Sequence, residues 1–97
     1  YPWGEKFESE KCNSSESGIK STTPVSHYPE GRSELGCYDM AGNVWEWTSD
    51  WFAGDNGAKS PRGGSWYYDK RYLQSAYRGM YDPGKRDDDV GFRCVQQ

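Results

Sequence analysis

Aliphatic side chains are scarce in this chain of 97 residues: apolar types make up 33% of it, and the rings of Phe, Trp and Tyr account for 16%. That excludes a core of packed Leu and Ile, so burial has to come from a few large rings. Histidine occurs once, as His27 in a Pro-flanked loop, which excludes a centre built from several histidines, and nothing in the sequence places a Ser-Asp pair or a Cys beside it as a catalytic arrangement requires. The three cysteines, Cys12, Cys37 and Cys94, are widely spaced and include no Cys-x-x-Cys pair, which excludes a thiolate zinc site. An odd count allows one internal bridge at most, with Cys94 reaching Cys12, Cys37 or neither, and the compartment stays open. No block of basic residues occurs: 12 Lys and Arg are interspersed with 15 Asp and Glu, for a net charge of −3. A nucleic-acid backbone is therefore not an expected partner. No apolar run approaches the length of a membrane span and the first residues show no signal-peptide pattern, so the chain reads as soluble.

What is abundant is glycine, aromatic rings and turn residues. The length allows one domain, residues 1–97, with a modest buried fraction. Residues 1–36, rich in Ser, Thr, Pro, Gly and charge, read as ordered loop with short turns, pinned by Trp3, Phe7 and Tyr28. Alternation begins in CYDMAGNVWEWTSDWF: Trp45, Trp47 and Trp51 fall on one side, and Val44, Glu46, Thr48 and Asp50 on the other, as in a strand with one indole face. The stretch GDNGAKS has its glycines misplaced for a phosphate loop and is rejected as one. Asn13-Ser14-Ser15 is a formal glycosylation acceptor, meaningful only in a secretory pathway. GSWYY, SAYRGM and DVGFRCV each read as short strands separated by turn chemistry. No helix beyond two or three turns is expected.

The motifs CYDMAGNVWEWTSDWF, RGGSW and VGFRCV, in that order, resemble the C-terminal half of the formylglycine-generating, sulfatase-modifying factor family. The opening YPWG, KCN, ESG and TTPV resemble that family's middle section. The resemblance implies an α+β fold of the C-type-lectin-like kind, loop-rich, with small twisted antiparallel sheets and little helix. The family's usual N-terminal portion has no counterpart here, so on this resemblance the chain is either a minimal version or the C-terminal part of a longer family domain, with an N-terminal portion elsewhere. Family enzymes carry a copper-binding cysteine pair just after GGSW, whereas the matching positions here hold Tyr68 and Leu73. A phenol and an alkyl group supply no thiolate, so the expectation is a non-enzyme. The alternative is a fragment or homologue of the modifying enzyme. No cofactor is required on this reading, but the resemblance of DMAGNVWE to the family's calcium-binding part implies Asp39 and Glu46 as side-chain ligands and Gly42 and Val44 as carbonyl ligands of Ca²⁺. The competing reading makes Glu46 a buried acceptor compensated by amides or an arginine.

The segment 63–93 also resembles the variable region of target-binding proteins diversified by retroelements, which use the same fold. Fixed elements would be Gly63, Gly64, Ser65, Trp66, Ser75, Ala76, Arg78, Pro83, Arg86, Gly91, Phe92 and Arg93. The slots between them hold Tyr67, Tyr68, Asp69, Tyr72, Tyr77, Gly79, Met80, Tyr81, Asp82, Asp87, Asp88 and Asp89. Tyrosine gives a large amphipathic contact area at low rotamer cost, and Asp and Gly add polar contacts and adaptable backbone. The expected function is a displayed ligand-binding surface for an unidentified protein or other surface ligand, in a prokaryotic cytoplasm or at a cell surface, with no membrane insertion. Trp66 is expected in the core and Tyr72 there or at its rim, while three adjacent aspartates otherwise read as a solvated turn. A sugar-binding lectin is the weakest reading, since the fold alone is a poor warrant for a ligand.

Overall fold

Glycine and proline interrupt the chain so often that regular structure is reduced to fragments. The computed structural model describes residues 1–50, 52, 57–82, 84 and 86–94. Within them lie four 3₁₀ turns, Ser9–Lys11, Ser15–Ser17, Pro29–Gly31 and Lys70–Tyr72, and two strands, β1 (Trp45–Glu46) and β2 (Val90–Gly91). The strands pair in parallel, Trp45 opposite Val90 and Glu46 opposite Gly91, through Trp45 N–H to the Asp89 carbonyl at 2.7 Å and Trp47 N–H to the Gly91 carbonyl at 2.9 Å.

Among the described residues, the expected antiparallel pairing is present as single bridges. Glu46 and Arg62 exchange two bonds of 3.0 Å, and Lys59 and Tyr81 exchange bonds of 2.8 and 3.1 Å. The segment 59–62 thus lies between β1 and residues 79–81. Its ladder stops because Pro61 has no N–H to donate. GSWYY is a turn rather than a strand, SAYRGM contributes one bridge residue's neighbours only, and DVGFRCV narrows to Val90–Gly91. The indole face is present for Trp45 and Trp47, both edge-on to Tyr81; Trp51 lies outside the described residues.

The core is small and mixed. Cys12, Ala41 and Leu73 form its fully apolar centre, with Tyr1, Trp3, Phe7, Tyr68 and Tyr72 packed around it, and Trp45 is 2% exposed. Trp3 and Phe7 therefore pin the opening loops as expected, with Tyr1 stacked on Trp3 at 5.5 Å. Tyr28 is buried under the edge of His27. All three cysteines are free; Cys12 is in the core and the other two are exposed.

Buried amides replace the missing ladders. Asn43, at φ 66°, receives the Thr23 N–H on its side-chain oxygen at 2.9 Å and gives its own N–H to the Asn13 carbonyl at 2.8 Å. Asn tolerates this left-handed conformation better than other non-glycine residues. Its neighbour Gly42 admits no side chain at all, because a Cβ would sit 2.5 Å from the Asn13 carbonyl oxygen.

Candidate functional site

The segment after residue 63 is anchored before it is displayed. Gly64 adopts φ +70° against the fully buried Leu73, and a Cβ there would come within 2.5 Å of Leu73 Cδ1. Next, Ser65, itself fully buried, donates from Oγ to Asp89 Oδ2 at 2.8 Å and accepts the Tyr67 N–H at 3.2 Å. The Asp89 carbonyl is held by Trp45 N–H in β1. One serine thus joins the start of the segment to its end, and β1 carries both.

On this anchor stands a chain of rings. Trp66 is edge-on to Tyr67 (5.9 Å, 90°), Tyr67 to Tyr68 (5.6 Å, 75°), Tyr68 to Tyr72 (5.0 Å) and Tyr72 to Tyr77 (5.2 Å). Trp45 lies beneath, touching Tyr68, Tyr77 and Tyr81. The hydroxyls of Tyr68 and Tyr81 share a 3.2 Å hydrogen bond, and burial, with that bond second, pushes the Tyr81 phenol well above its usual pKa. Trp66, Tyr67, Tyr68, Tyr81, Asp87, Asp88 and Asp89 line an open hollow of about 340 Å³. Tyr67, 68% exposed, is the ridge between this hollow and a second one of about 260 Å³ lined by Ser15, Lys20, Trp66 and Tyr67.

The expected contact residues divide accordingly. Tyr67, Tyr68, Tyr81, Asp87, Asp88 and Asp89 come together in the hollow, and Tyr72 and Tyr77 extend the ring chain away from it. Asp69 turns instead onto Arg71, whose guanidinium forks it at 2.8 and 3.0 Å and holds its carboxyl down at about 2. Asp82 accepts the Gly84 N–H, and Met80 is exposed outside the lining. Gly79 is no contact slot: it is buried with its N–H on the Pro61 carbonyl at 2.8 Å, and a Cβ would press on Pro61 and Trp45. Asp89 is not part of a solvated turn, being 7% exposed and bound by Ser65, although Asp87 and Asp88 are exposed. Trp66 is half-buried rather than in the core, and Tyr72 is half-buried at the core's edge. Ser65, Ser15 and Lys20 are site residues that the sequence reading passed over; the serine in GGSW was the only signal, read as fixed without a partner.

At the family's cysteine positions, Leu73 is sealed in the core and Tyr68 walls the hollow. The real thiols lie elsewhere, and burial pushes that of Cys12 up to about 12, so it stays protonated and unreactive at neutral pH. The implied calcium ligands are arranged as follows. Arg93 forks Glu46 with two bonds of 2.6 Å and reaches the carbonyls of Tyr38 at 2.8 Å and Asp39 at 3.2 Å. Asp39 is 8% exposed, with Oδ2 buried and unpartnered among the described residues, and burial raises its carboxyl to about 6 despite Arg93 nearby. The orphan oxygen suits a metal. Both Glu46 oxygens, however, are already taken by a guanidinium, so the donor set as arranged falls short of the oxygen-rich shell calcium takes.

The profile of the sulfatase-modifying factor enzyme 1-like domain matches residues 1–97. The chain is 39% identical over 113 residues to the serine/threonine-protein kinase Pkn1 of Chlamydia trachomatis serovar L2, covering 99% of this chain and 18% of that protein. It is 33% identical over 112 residues to the inactive C-alpha-formylglycine-generating enzyme 2 of Bos taurus, covering 98% of this chain and 36% of the other. Among solved structures, Treponema denticola variable protein 1 superposes with a TM-score of 0.76 at 28% identity, over 86% of this chain and 34% of that one. It is the structural counterpart of the resemblance to variable proteins. The chain spans 18% of that kinase and 36% of that bovine protein.

Proposed function

The chain belongs to the sulfatase-modifying factor enzyme 1-like family and has its C-type-lectin-like fold, and from that premise we propose that it is a non-catalytic binding module. Its ligand face is the ring-lined hollow and the ridge of Tyr67. One observation carries this reading: Tyr67, Tyr68 and Tyr81 converge with three aspartates beside the place where the family's enzymes hold their thiols. In those enzymes a thiolate is both the copper ligand and a reactant in the oxidation of a substrate cysteine. Tyr68 offers a hydrogen-bonded phenol and Leu73 a sealed alkyl group. Rings with polar tips suit contact instead, since they cover area at little rotamer cost.

The diversified character of the face belongs to the same proposal. Tyr67, Asp87 and Asp88 are exposed and sit on backbone anchored by Ser65, Trp45 and Asn43, so their side chains can change without moving the frame. Calcium forms no part of the proposal, because the Arg93 fork on Glu46 supports a structural brace there. Randomising residues 67, 87 and 88 in a displayed library should yield binders to an arbitrary protein target, with soluble, folded clones predominating. Formation of formylglycine in a cysteine-containing sulfatase peptide incubated with the chain and copper would overturn the non-catalytic reading. At the DNA level, a neighbouring reverse transcriptase and a template repeat differing at adenines are expected; a locus with neither would remove diversification and leave binding to the library result.

A further inference from the structure

The side of β1 that faces away from the ring chain carries a cation with no acid of its own. Arg62 lies across the antiparallel bridge from Glu46, each backbone N–H bonded to the other's carbonyl at 3.0 Å. Residues opposite one another in such a pair project to the same side, and neighbours along a strand alternate, so that side is not the one Trp45 takes. Glu46 would be the natural counter-ion, but Arg93 already forks both of its oxygens. Arg62 reaches instead to the Ser75 carbonyl, which Nη1 meets at 3.0 Å, and among the described residues no carboxylate pairs with it.

Arg62 and Ser75 both line an open hollow of about 390 Å³, so the bond between them sets the guanidinium at its wall. That bond uses one N–H and leaves the rest of the planar fork available. Pro2 and Met40, the latter 42% exposed, bring apolar groups to the same hollow. Thr48, also in the lining, gives its hydroxyl to the Ser60 carbonyl at 2.6 Å. Among the described residues no Asp or Glu lines this hollow; Glu30 and Glu34 line an adjoining one together with Lys11 and Arg32. It shares no lining residue with the ring-lined hollow. A guanidinium without an acid, set beside apolar groups, selects an anion that matches its fork and carries an apolar body. A carboxylate on an aliphatic group meets both demands, whereas a phosphate brings a second charge to a wall with one cation.

We propose that this hollow is a second binding site, independent of the tyrosine face, and that it takes a carboxylate borne on a compact aliphatic group. Arg62 forks the carboxylate, and the aliphatic group lies against Pro2 and Met40. A free branched-chain acid and the C-terminal carboxylate of a peptide with an aliphatic last residue offer the same two contacts. A neutral amide of the same shape would leave the guanidinium without compensation, which is the source of discrimination.

The test is NMR titration of the whole chain, labelled with ¹⁵N and at the methionine methyls with ¹³C, using isocaproate, its neutral amide isocaproamide, acetate, inorganic phosphate and N-acetyl-leucine. Isocaproate should move the Arg62 Nε–H, the amides of Gly63 and Ser75 and the Met40 methyl saturably, and leave the Trp66 indole N–H in place. It should bind at least about tenfold more tightly than isocaproamide, the difference that hydrogen bonding to a charged group supplies, and more tightly than acetate. Arg62→Gln should remain folded and lose the preference for the acid over the amide. Ser75→Asp, at an exposed position, sets a carboxylate beside the guanidinium and should abolish binding, so the proposal stays open to refutation even where Arg62→Gln fails to fold. Tighter binding of N-acetyl-leucine than of isocaproate assigns the site to a peptide C-terminus and the reverse order to a free acid; either supports the site. Equal binding of isocaproamide or acetate, tighter binding of phosphate, undiminished binding by Ser75→Asp, or shifts confined to the tyrosine face would overturn it. None of these outcomes touches the binding-module reading, whose library varies residues 67, 87 and 88 and leaves Arg62 as it is.

Discussion

Asp39 is where a single residue works against the fold. Its carboxyl rises from 3.8 to about 6 because burial disfavours the charged form more than Arg93 favours it. The folded state therefore holds this proton more tightly than the unfolded chain does. Stability from this group is present at low pH, falls as pH rises from about 4 to about 6, and is level above that. The loss is about 3 kcal/mol for a shift of this size. Asn fits the same space and tolerates the residue's φ of 54°. Urea unfolding of Asp39→Asn in EDTA should show a gain over the wild type at pH 7.5 that shrinks to nothing near pH 4. A constant difference across that range would mean that the carboxyl is not titrating there.

At the scale of elements, two-residue strands cannot hold the segment 63–93 by their ladders, so single polar side chains do it. Arg93 clasps the end of β2 onto Glu46 of β1 and onto the carbonyls of residues 38 and 39. Arg93→Met removes the cation from a largely covered carboxylate and should cost about 1–3 kcal/mol. Ser65 and Asp89 bridge the other end through a buried bond. Ser65→Ala and Asp89→Asn should each destabilise by about 1–2 kcal/mol, and the double variant by clearly less than their sum, since each single change already breaks the one bond. Additive losses in the double-mutant cycle would show that the two residues act separately. The same cycle distinguishes Asp89 from Asp87 and Asp88, which are exposed and whose replacement by Asn should leave stability within about 0.5 kcal/mol.

Taken whole, the molecule separates a frame from a face, and the sequence reveals the first more readily than the second. The tryptophan alternation at 45 and 47 was legible because even a two-residue strand keeps the period of two, and ordered motifs 63–66 and 91–93 marked the ends of the face. Gly79 is no contact slot because it is buried against Pro61 and Trp45, and Asp89, although it lines the hollow, is held down by Ser65; these partners lie far along a chain with no periodicity to announce them. Trp66 was placed too deep for the converse reason: a large ring is expected inside, but the hollow needs a wall. This separation predicts how the whole chain responds to change. Replacing Tyr67, Tyr77, Asp87 and Asp88 together by Ser or Asn removes mainly exposed surface, so the sum of small effects should stay near 1 kcal/mol, or a fall in Tm of roughly 4–8 °C for a domain of this size. The single change Leu73→Ala takes a fully buried side chain from a centre that it forms, among the described residues, with Cys12 and Ala41, which costs about 2–5 kcal/mol. In a domain whose entire stability is of that order, it should unfold much of the population at 37 °C. Thermal scans of the two proteins decide the matter: if the fourfold surface variant melts as low as Leu73→Ala, the face is part of the frame and could not vary freely.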